Sequence, residues 1–206
     1  MPSNRGFLVT LDGPSGVGKT TVAALLRKRL REDGRDVLLT TTPSPSAIGR
    51  LARHGTHDFR GIELTLVVAA DRYHHYRTVI SPALTAGQVV ICDRFMPSSL
   101  VLDQLDGLGP DFVLHLYDGL TQPDLAFILT GPPEHCARRA AARGTYSRLH
   151  DTSLAASRRE AALFAKAAAE LSNAGYPVHA LTIGEASAEQ VADQLKTVMA
   201  TQEEGL

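Results

Sequence analysis

Gly13-Pro14-Ser15-Gly16-Val17-Gly18-Lys19-Thr20 decides the fold, because an apolar run, Phe7 to Leu11, precedes it and an amphipathic stretch, Thr20 to Glu32, follows it. Its spacing, G-x-x-x-x-G-K-[ST], is that of a loop that wraps phosphate groups. Glycine reaches backbone conformations closed to other residues, so successive N–H groups converge on one anion. Lys19 then reaches the terminal phosphates, and Thr20 is suited to ligate magnesium. The helix that follows points the positive end of its dipole at the same anion. The donor-binding set read from this segment is Gly13, Pro14, Ser15, Gly16, Val17, Gly18, Lys19, Thr20 and Thr21. Lys19 is expected to face solvent and to contribute charge, not packing.

Working outward, short β-branched runs alternate with longer helical patterns, the signature of a parallel sheet with helices on both faces. Five runs read as strands: Phe7 to Leu11, Val37 to Thr41, Val89 to Cys92, Leu125 to Leu129 and Val178 to Ile183. Most are continuous apolar stretches, as strands buried on both sides require. Helices are expected over Thr20 to Glu32, Ile62 to Leu84 with a break or kink at Pro82, and Ser98 to Leu105. Asp111 to Leu116, Glu134 to Ala142, Leu154 to Asn173 and Ala188 to Met199 complete the set. Thr42-Pro43-Ser44-Pro45-Ser46 follows a strand end, where open α/β sheets place ligand-contacting loops.

The chain has 206 residues, 44% of them hydrophobic, enough for one domain with a full core. A formal net charge of -1 argues against a general nucleic-acid-binding surface and points to a small-molecule partner. Cys92 and Cys136 show neither metal spacing nor a disulfide framework, and both are expected to pack in the interior. No window approaches the ~20 apolar residues needed to cross a bilayer. The expectation is a soluble, cytoplasmic protein that binds neither nucleic acid nor membrane.

A second motif narrows the chemistry. Val89-Val90-Ile91-Cys92-Asp93-Arg94-Phe95 places an acid and a base at the carboxyl end of a buried strand, on the phosphate-loop edge of the sheet. Switch GTPases carry D-x-x-G there, whereas Arg94 follows Asp93 directly. Asp93 suits a magnesium shell or an acceptor, and the planar fork of Arg94 suits an acceptor phosphate. Phosphoryl transfer between two anions also needs positive charge that arrives with closure. Arg139 and Arg143 share a helix face, and Arg148 follows in the polar loop Gly144 to Asp151. All three are expected to close over the donor as a lid, about residues 138–152.

In order and spacing, these motifs resemble the thymidylate kinases across nearly the whole chain. The match includes Ala69-Ala70-Asp71-Arg72, Ile80-Ser81-Pro82-Ala83-Leu84 with Gly87, and Cys92-Asp93-Arg94-Phe95 leading to Ser98-Ser99-Leu100. Bacterial members carry R-x-x-x-R-G-x-x-D-R in the lid, echoed by Arg139, Arg143, Gly144 and Arg148. The resemblance implies a three-layer P-loop kinase fold in a single domain, 1–206. It also implies ATP- and magnesium-dependent transfer of the γ-phosphoryl group to a nucleoside monophosphate by a homodimer. It casts Lys19, Asp93, Arg94, Arg143 and Arg148 as catalytic, Arg139 as donor-binding, and Thr20 and Asp93 as metal ligands. Asp12, Val68, Arg72, Arg94, Ser98, Ser99 and Asp103 make up the acceptor set.

The acceptor half departs from the family pattern. The acidic residue of the phosphate loop falls on Ser15, and the R-E-P that ends the second strand reads Thr41-Thr42-Pro43. The aromatic platform for thymine falls on Val68, and the A-Y-Q after Ser98-Ser99-Leu100 reads Val101-Leu102-Asp103. Losing a stacking platform costs on the order of 1 to 3 kcal/mol. An ionised aspartate only accepts hydrogen bonds, so Asp103 favours an acceptor that presents N–H or O–H groups. Tyr73 or Tyr76 is either ordinary packing or a replacement aromatic surface, and His74 and His75 are assigned to the surface or the substrate edge. A nucleoside monophosphate kinase, its acceptor a modified nucleotide or one with a base other than thymine, is the leading reading. A kinase for a nucleoside or metabolite hydroxyl, and a regulatory module without transferase activity, stand beside it. Lys19, Asp93, Arg94 and the lid arginines weigh against the last.

Overall fold

The computed structural model describes residues 5–144, 148–149 and 151–204; residues 145–147 and 150 of the expected lid lie outside them. Five strands, β1 (Leu8–Asp12), β2 (Val37–Thr41), β3 (Val89–Asp93), β4 (Leu125–Thr130) and β5 (Val178–Thr182), form one sheet in the order β2-β3-β1-β4-β5. Every pairing is parallel, with Leu11 opposite Asp93 and Asp12 opposite Ile128 around the central strand. The chain fills one side of β1 with β2 and β3, then crosses to the other for β4 and β5. That change of direction opens a crevice at the carboxyl ends of the strands, where Asp12, Thr41 and Asp93 stand.

Successive side chains alternate between the two faces of a strand, and here both faces are covered. Val9, Leu11, Ile91, Phe127 and Leu129 pack on Val22, Leu26 and Leu30 of α1 (Lys19–Glu32) and on Val191, Leu195 and Met199 of α9 (Ala188–Glu204). The opposite face, Leu8, Val90, Cys92, Ala126 and Ile128, packs on Leu100 and Val101 of α5 (Met96–Leu105) and on Phe164, Ala168 and Leu171 of α8 (Leu154–Asn173). Both cysteines are free and buried, as expected.

Three local features differ from the sequence reading. An additional helix, α2 (Ala47–His54), follows the Pro43–Ser46 segment, and the Ser46 hydroxyl caps it by accepting the Gly49 N–H at 3.0 Å. The prolines and Gly49 hid it. Gly49 is needed because a Cβ there would come within 2.1 Å of the Ser44 carbonyl oxygen. Pro82 does not break the long helix: α3 (Ile62–His75) runs through a wider π turn, Tyr76–Ile80, into α4 (Ser81–Thr85). That wide turn accommodates the proline, which has no N–H to donate back. Finally, α5 starts two residues before the expected Ser98, with Pro97 in its first turn. The elements α6 (Pro110–Leu116) and α7 (Pro133–Arg143) fall where the pattern puts them, within one or two residues.

Candidate active site

The phosphate loop joins β1 to α1, and its glycines are dictated by close backbone approaches. A Cβ on Gly13 would come within 2.2 Å of the Leu129 carbonyl oxygen, and one on Gly16 within 2.1 Å of the Cys136 carbonyl oxygen. Lys19 is buried, contrary to the expectation of a solvent-facing side chain, and its Nζ donates to the carbonyls of Gly13 and Pro14 at 2.7 and 2.9 Å. The ammonium thus occupies the hollow of its own loop. Burial, reinforced by Arg94, pushes its pKa down to about 7 against the opposing pull of Asp93, Glu160 and Asp12. Beside it the Thr20 hydroxyl donates to Asp93 Oδ2 at 2.6 Å, while Asp93 Oδ1 has no hydrogen-bond partner among the described residues. A hydroxyl and an orphaned carboxylate oxygen fit a hard divalent cation that takes its other oxygens from phosphates and water.

Asp12 organises the other wall. Its Oδ1 accepts the N–H groups of Phe95 and Ser98, both at 2.9 Å, and so caps the start of α5 from another strand. Full burial raises its pKa, offset in part by those bonds and by the charges of Arg72 and Arg94. Arg94 is the one non-glycine residue with positive φ among those described, at 71°, a conformation that costs an L-residue about 1 to 2 kcal/mol. The turn aims its side chain past Ser98 into a cavity of about 300 Å³.

Arg72 is the largest fully buried side chain. Its Nη1 donates to the Ser99 hydroxyl at 2.7 Å and its Nη2 to the Thr42 hydroxyl at 3.3 Å. The guanidinium lies 4.8 Å from the Tyr117 ring centre and 5.6 Å from that of Phe95. Asp71, its neighbour, accepts from the N–H and hydroxyl of Ser44 and from the Ser46 hydroxyl, fixing the segment after β2.

The cavity is continuous from Gly16, Gly18, Lys19 and Thr20 to Arg72, Arg94, Ser98 and Ser99. Leu64, Val68, Leu102 and Asp103 close its far end. Arg143 reaches the cavity, and Arg139 Nη1 lies 3.9 Å from where a Cβ on Gly18 would stand, beside the phosphate loop. Arg148 is placed elsewhere: its Nη1 and Nη2 donate to the two carboxylate oxygens of Asp106 at 2.6 and 2.9 Å, a bidentate ion pair, and it also donates to the carbonyls of Thr56 and Phe59. It therefore braces the cavity wall around Thr56 and stands apart from the phosphate loop, over which it was expected to close. Tyr73 donates to the Leu116 carbonyl and stacks on Tyr117, which leaves it a packing residue. His75 is buried against the Thr40 hydroxyl at 2.6 Å and is not a surface group.

Asp103 is 5% exposed, and burial pushes its pKa up to about 6. A carboxyl whose folded pKa exceeds the unfolded value binds protons more readily when folded. Its contribution to stability is therefore lost as pH rises from about 4 through 6. Asp103→Asn removes that dependence. Between pH 4 and pH 7.5 the unfolding free energy of the variant, relative to the native chain, is expected to rise by on the order of 2 to 3 kcal/mol. Urea unfolding at the two pH values checks this; an equal difference at both would place Asp103 in water.

A family model described as thymidylate kinase matches residues 11–194, from the end of β1 into α9. The chain belongs to the thymidylate kinase family. It is 41% identical over 152 residues to a probable thymidylate kinase of Pyrococcus abyssi, covering 69% of this chain and 74% of the relative. A thymidylate kinase of Thermomicrobium roseum is 36% identical over 170 residues, 79% of this chain and 81% of the relative. A solved thymidylate kinase structure from Candida albicans superposes with a TM-score of 0.78 over 97% of this chain and 93% of that one, at 22% identity, and shares the fold. Membership makes this chain a phosphotransferase of the nucleoside monophosphate kinase type.

Within that family frame, several side chains around the site were missed by the sequence reading. Arg53 of α2 lines the cavity and donates to the Pro43 carbonyl, so the unread helix brings a cation beside Thr41 and Thr42. Tyr117 lies under Arg72, Asp106 receives Arg148, and Glu160 touches Ser15. None belongs to a motif of fixed spacing. The cap signal at Ser46 was the one cue able to reveal α2, and with it Arg53.

Proposed function

We propose that this member transfers the γ-phosphoryl group of ATP, with magnesium, to a nucleoside monophosphate whose base is not thymine. The observation that carries the reading is a continuous cavity lined at one end by the phosphate loop and at the other by Arg72 and Arg94. Donor and acceptor phosphates meet there without a protein wall between them, as direct transfer requires. The loop N–H groups and Lys19 hold the donor phosphates, and Arg139 and Arg143 add charge as the lid, about 138–152, excludes water. Thr20 and Asp93 would hold a magnesium ion, which would supply charge neutralisation on the phosphates. Arg94 and Arg53 grip the acceptor phosphate, Arg53 supplying the charge that the neutral side chain of Thr41 lacks; the Thr41 hydroxyl itself is donated to the Asp93 carbonyl at 2.9 Å.

Val68 and Asp103 support the altered acceptor. Val68 offers no aromatic platform, and a buried carboxyl at 103 asks for a donor edge on the base. We read the chain as one kinase domain, 1–206, acting as a homodimer in the cytoplasm, with no nucleic-acid or membrane partner. Among the described residues no helix is long and apolar enough to cross a membrane.

An ADP-release assay across nucleoside monophosphates, nucleosides and a no-acceptor control tests the reading. Turnover with a nucleoside monophosphate other than thymidylate is expected to lead. Val68→Phe combined with Asp103→Gln is expected to raise kcat/KM for thymidylate relative to the preferred acceptor, by on the order of 10-fold for one restored stacking contact. Preference of the native enzyme for thymidylate over every other acceptor would sink the altered-base reading. Preference for an unphosphorylated nucleoside would favour hydroxyl phosphorylation.

A further inference from the structure

Beneath the phosphate loop a carboxylate arrives from a distant part of the chain. Glu160, two turns into α8, is 8% exposed; its Oε2 accepts the Ser15 N–H at 3.0 Å and its Oε1 the Ser15 hydroxyl at 3.4 Å. Ser15 lines the cavity, whereas Glu160 is not among the lining residues, so any effect it has on bound phosphates passes through the loop. A carboxylate is costly to bury and is retained where its bonds matter to the arrangement around it. On the other flank, Gly16 rests against the Cys136 carbonyl of α7 so closely that no Cβ fits. The two flanking helices are themselves joined, the Ser157 hydroxyl donating to the Pro133 carbonyl at 3.0 Å. Both lead into the lid, α7 at its start and α8 at its end. Glu160 is also one of three carboxylates, with Asp93 and Asp12, that favour the charged form of Lys19.

The geometry points to Glu160 as a positioning residue for the phosphoryl donor, holding the peptide and hydroxyl of Ser15 so that the loop stays aimed at the phosphates. This inference rests on the ATP-dependent reading above. A loop free to turn at Ser15 presents its N–H groups in several directions, and misplacement of about 1 Å is enough to cost up to 10²-fold.

The test compares Glu160→Ala, Glu160→Gln and Glu160→Asp with the native enzyme. It measures kcat, KM for ATP, KM for the acceptor, ATP affinity by calorimetric titration, and the thermal midpoint. Glu160→Ala is expected to weaken ATP, in KM and in titration, by on the order of 10- to 100-fold while KM for the acceptor stays within about twofold. Glutamine is expected to recover most of the loss, because its amide oxygen still accepts the Ser15 N–H and its NH2 meets the hydroxyl. Aspartate keeps the charge but withdraws it by one methylene, and is expected to weaken ATP alone; it keeps the test open should the alanine variant fail to fold. Native ATP affinity in the aspartate variant, a lowered midpoint without any change for ATP, or a glutamine variant as weak as alanine overturns the inference. Failure of the kinase reading shows separately, as absence of turnover in the native enzyme, while the titration still tests the loop.

Discussion

Lys19→Ala is expected to lower kcat by at least about 10²- to 10³-fold, the loss that follows removal of one preorganised charge-stabilising donor. The structure adds a second consequence. Because Nζ is buried and bonded to the carbonyls of Gly13 and Pro14, Lys19 also holds the loop in shape. Truncation leaves two carbonyls and a hollow, and is expected to cost about 1 to 3 kcal/mol of stability as well. The two effects separate experimentally: saturating ATP in single-turnover kinetics reads the chemistry, and denaturant unfolding reads the fold. Near-native turnover at saturating ATP would remove the loop from the mechanism. Native stability with lost turnover would instead show that the loop holds its shape without the lysine.

Arg72→Ala is expected to have the largest effect on folding and a comparable one on use of the acceptor. The guanidinium fills the space between Tyr117 and Phe95 and satisfies the hydroxyls of Ser99 and Thr42. Removing it opens a cavity and unpairs buried polar atoms, for a loss on the order of 3 to 5 kcal/mol. Arg72→Met refills much of the volume and isolates the polar contribution. It is expected to regain a good part of the stability but little of the activity, with kcat/KM for the acceptor down by on the order of 100-fold. Arg72→Lys is not a rescue, because an ammonium has neither the planar fork nor the flat face that lies against the rings. A methionine variant with native acceptor kinetics would make Arg72 a residue of the core alone.

The framework was legible because its signals are local. The phosphate loop has a fixed spacing, and all five strands lie within a residue or two of the apolar runs that announce them. Sidedness was legible too: Asp93 and Arg94 follow a buried strand, and a parallel sheet places such ends together. Local signals fail where one element is completed by another. Helix α2 owes Gly49 to the carbonyl of Ser44 and its anchorage to Asp71, neither visible in a pattern of apolar residues. Arg148 reads as one more lid cation until Asp106, 42 positions away, is found waiting for it. Lys19 reads as exposed because loops usually are, yet here the loop curls around its own side chain. Glu160 and Ser15 are 145 positions apart, and nothing in either neighbourhood announces the other.

The left-handed backbone of Arg94 sets folding against use. Glycine would relax that turn and recover about 1 to 2 kcal/mol. A library of this protein screened for heat resistance alone is therefore drawn toward glycine at position 94, and the best-ranked survivors lose the cavity's Arg94 guanidinium, and with it the acceptor grip proposed above, as they gain in melting temperature. Stabilisation of this enzyme has to begin elsewhere, with position 94 held fixed.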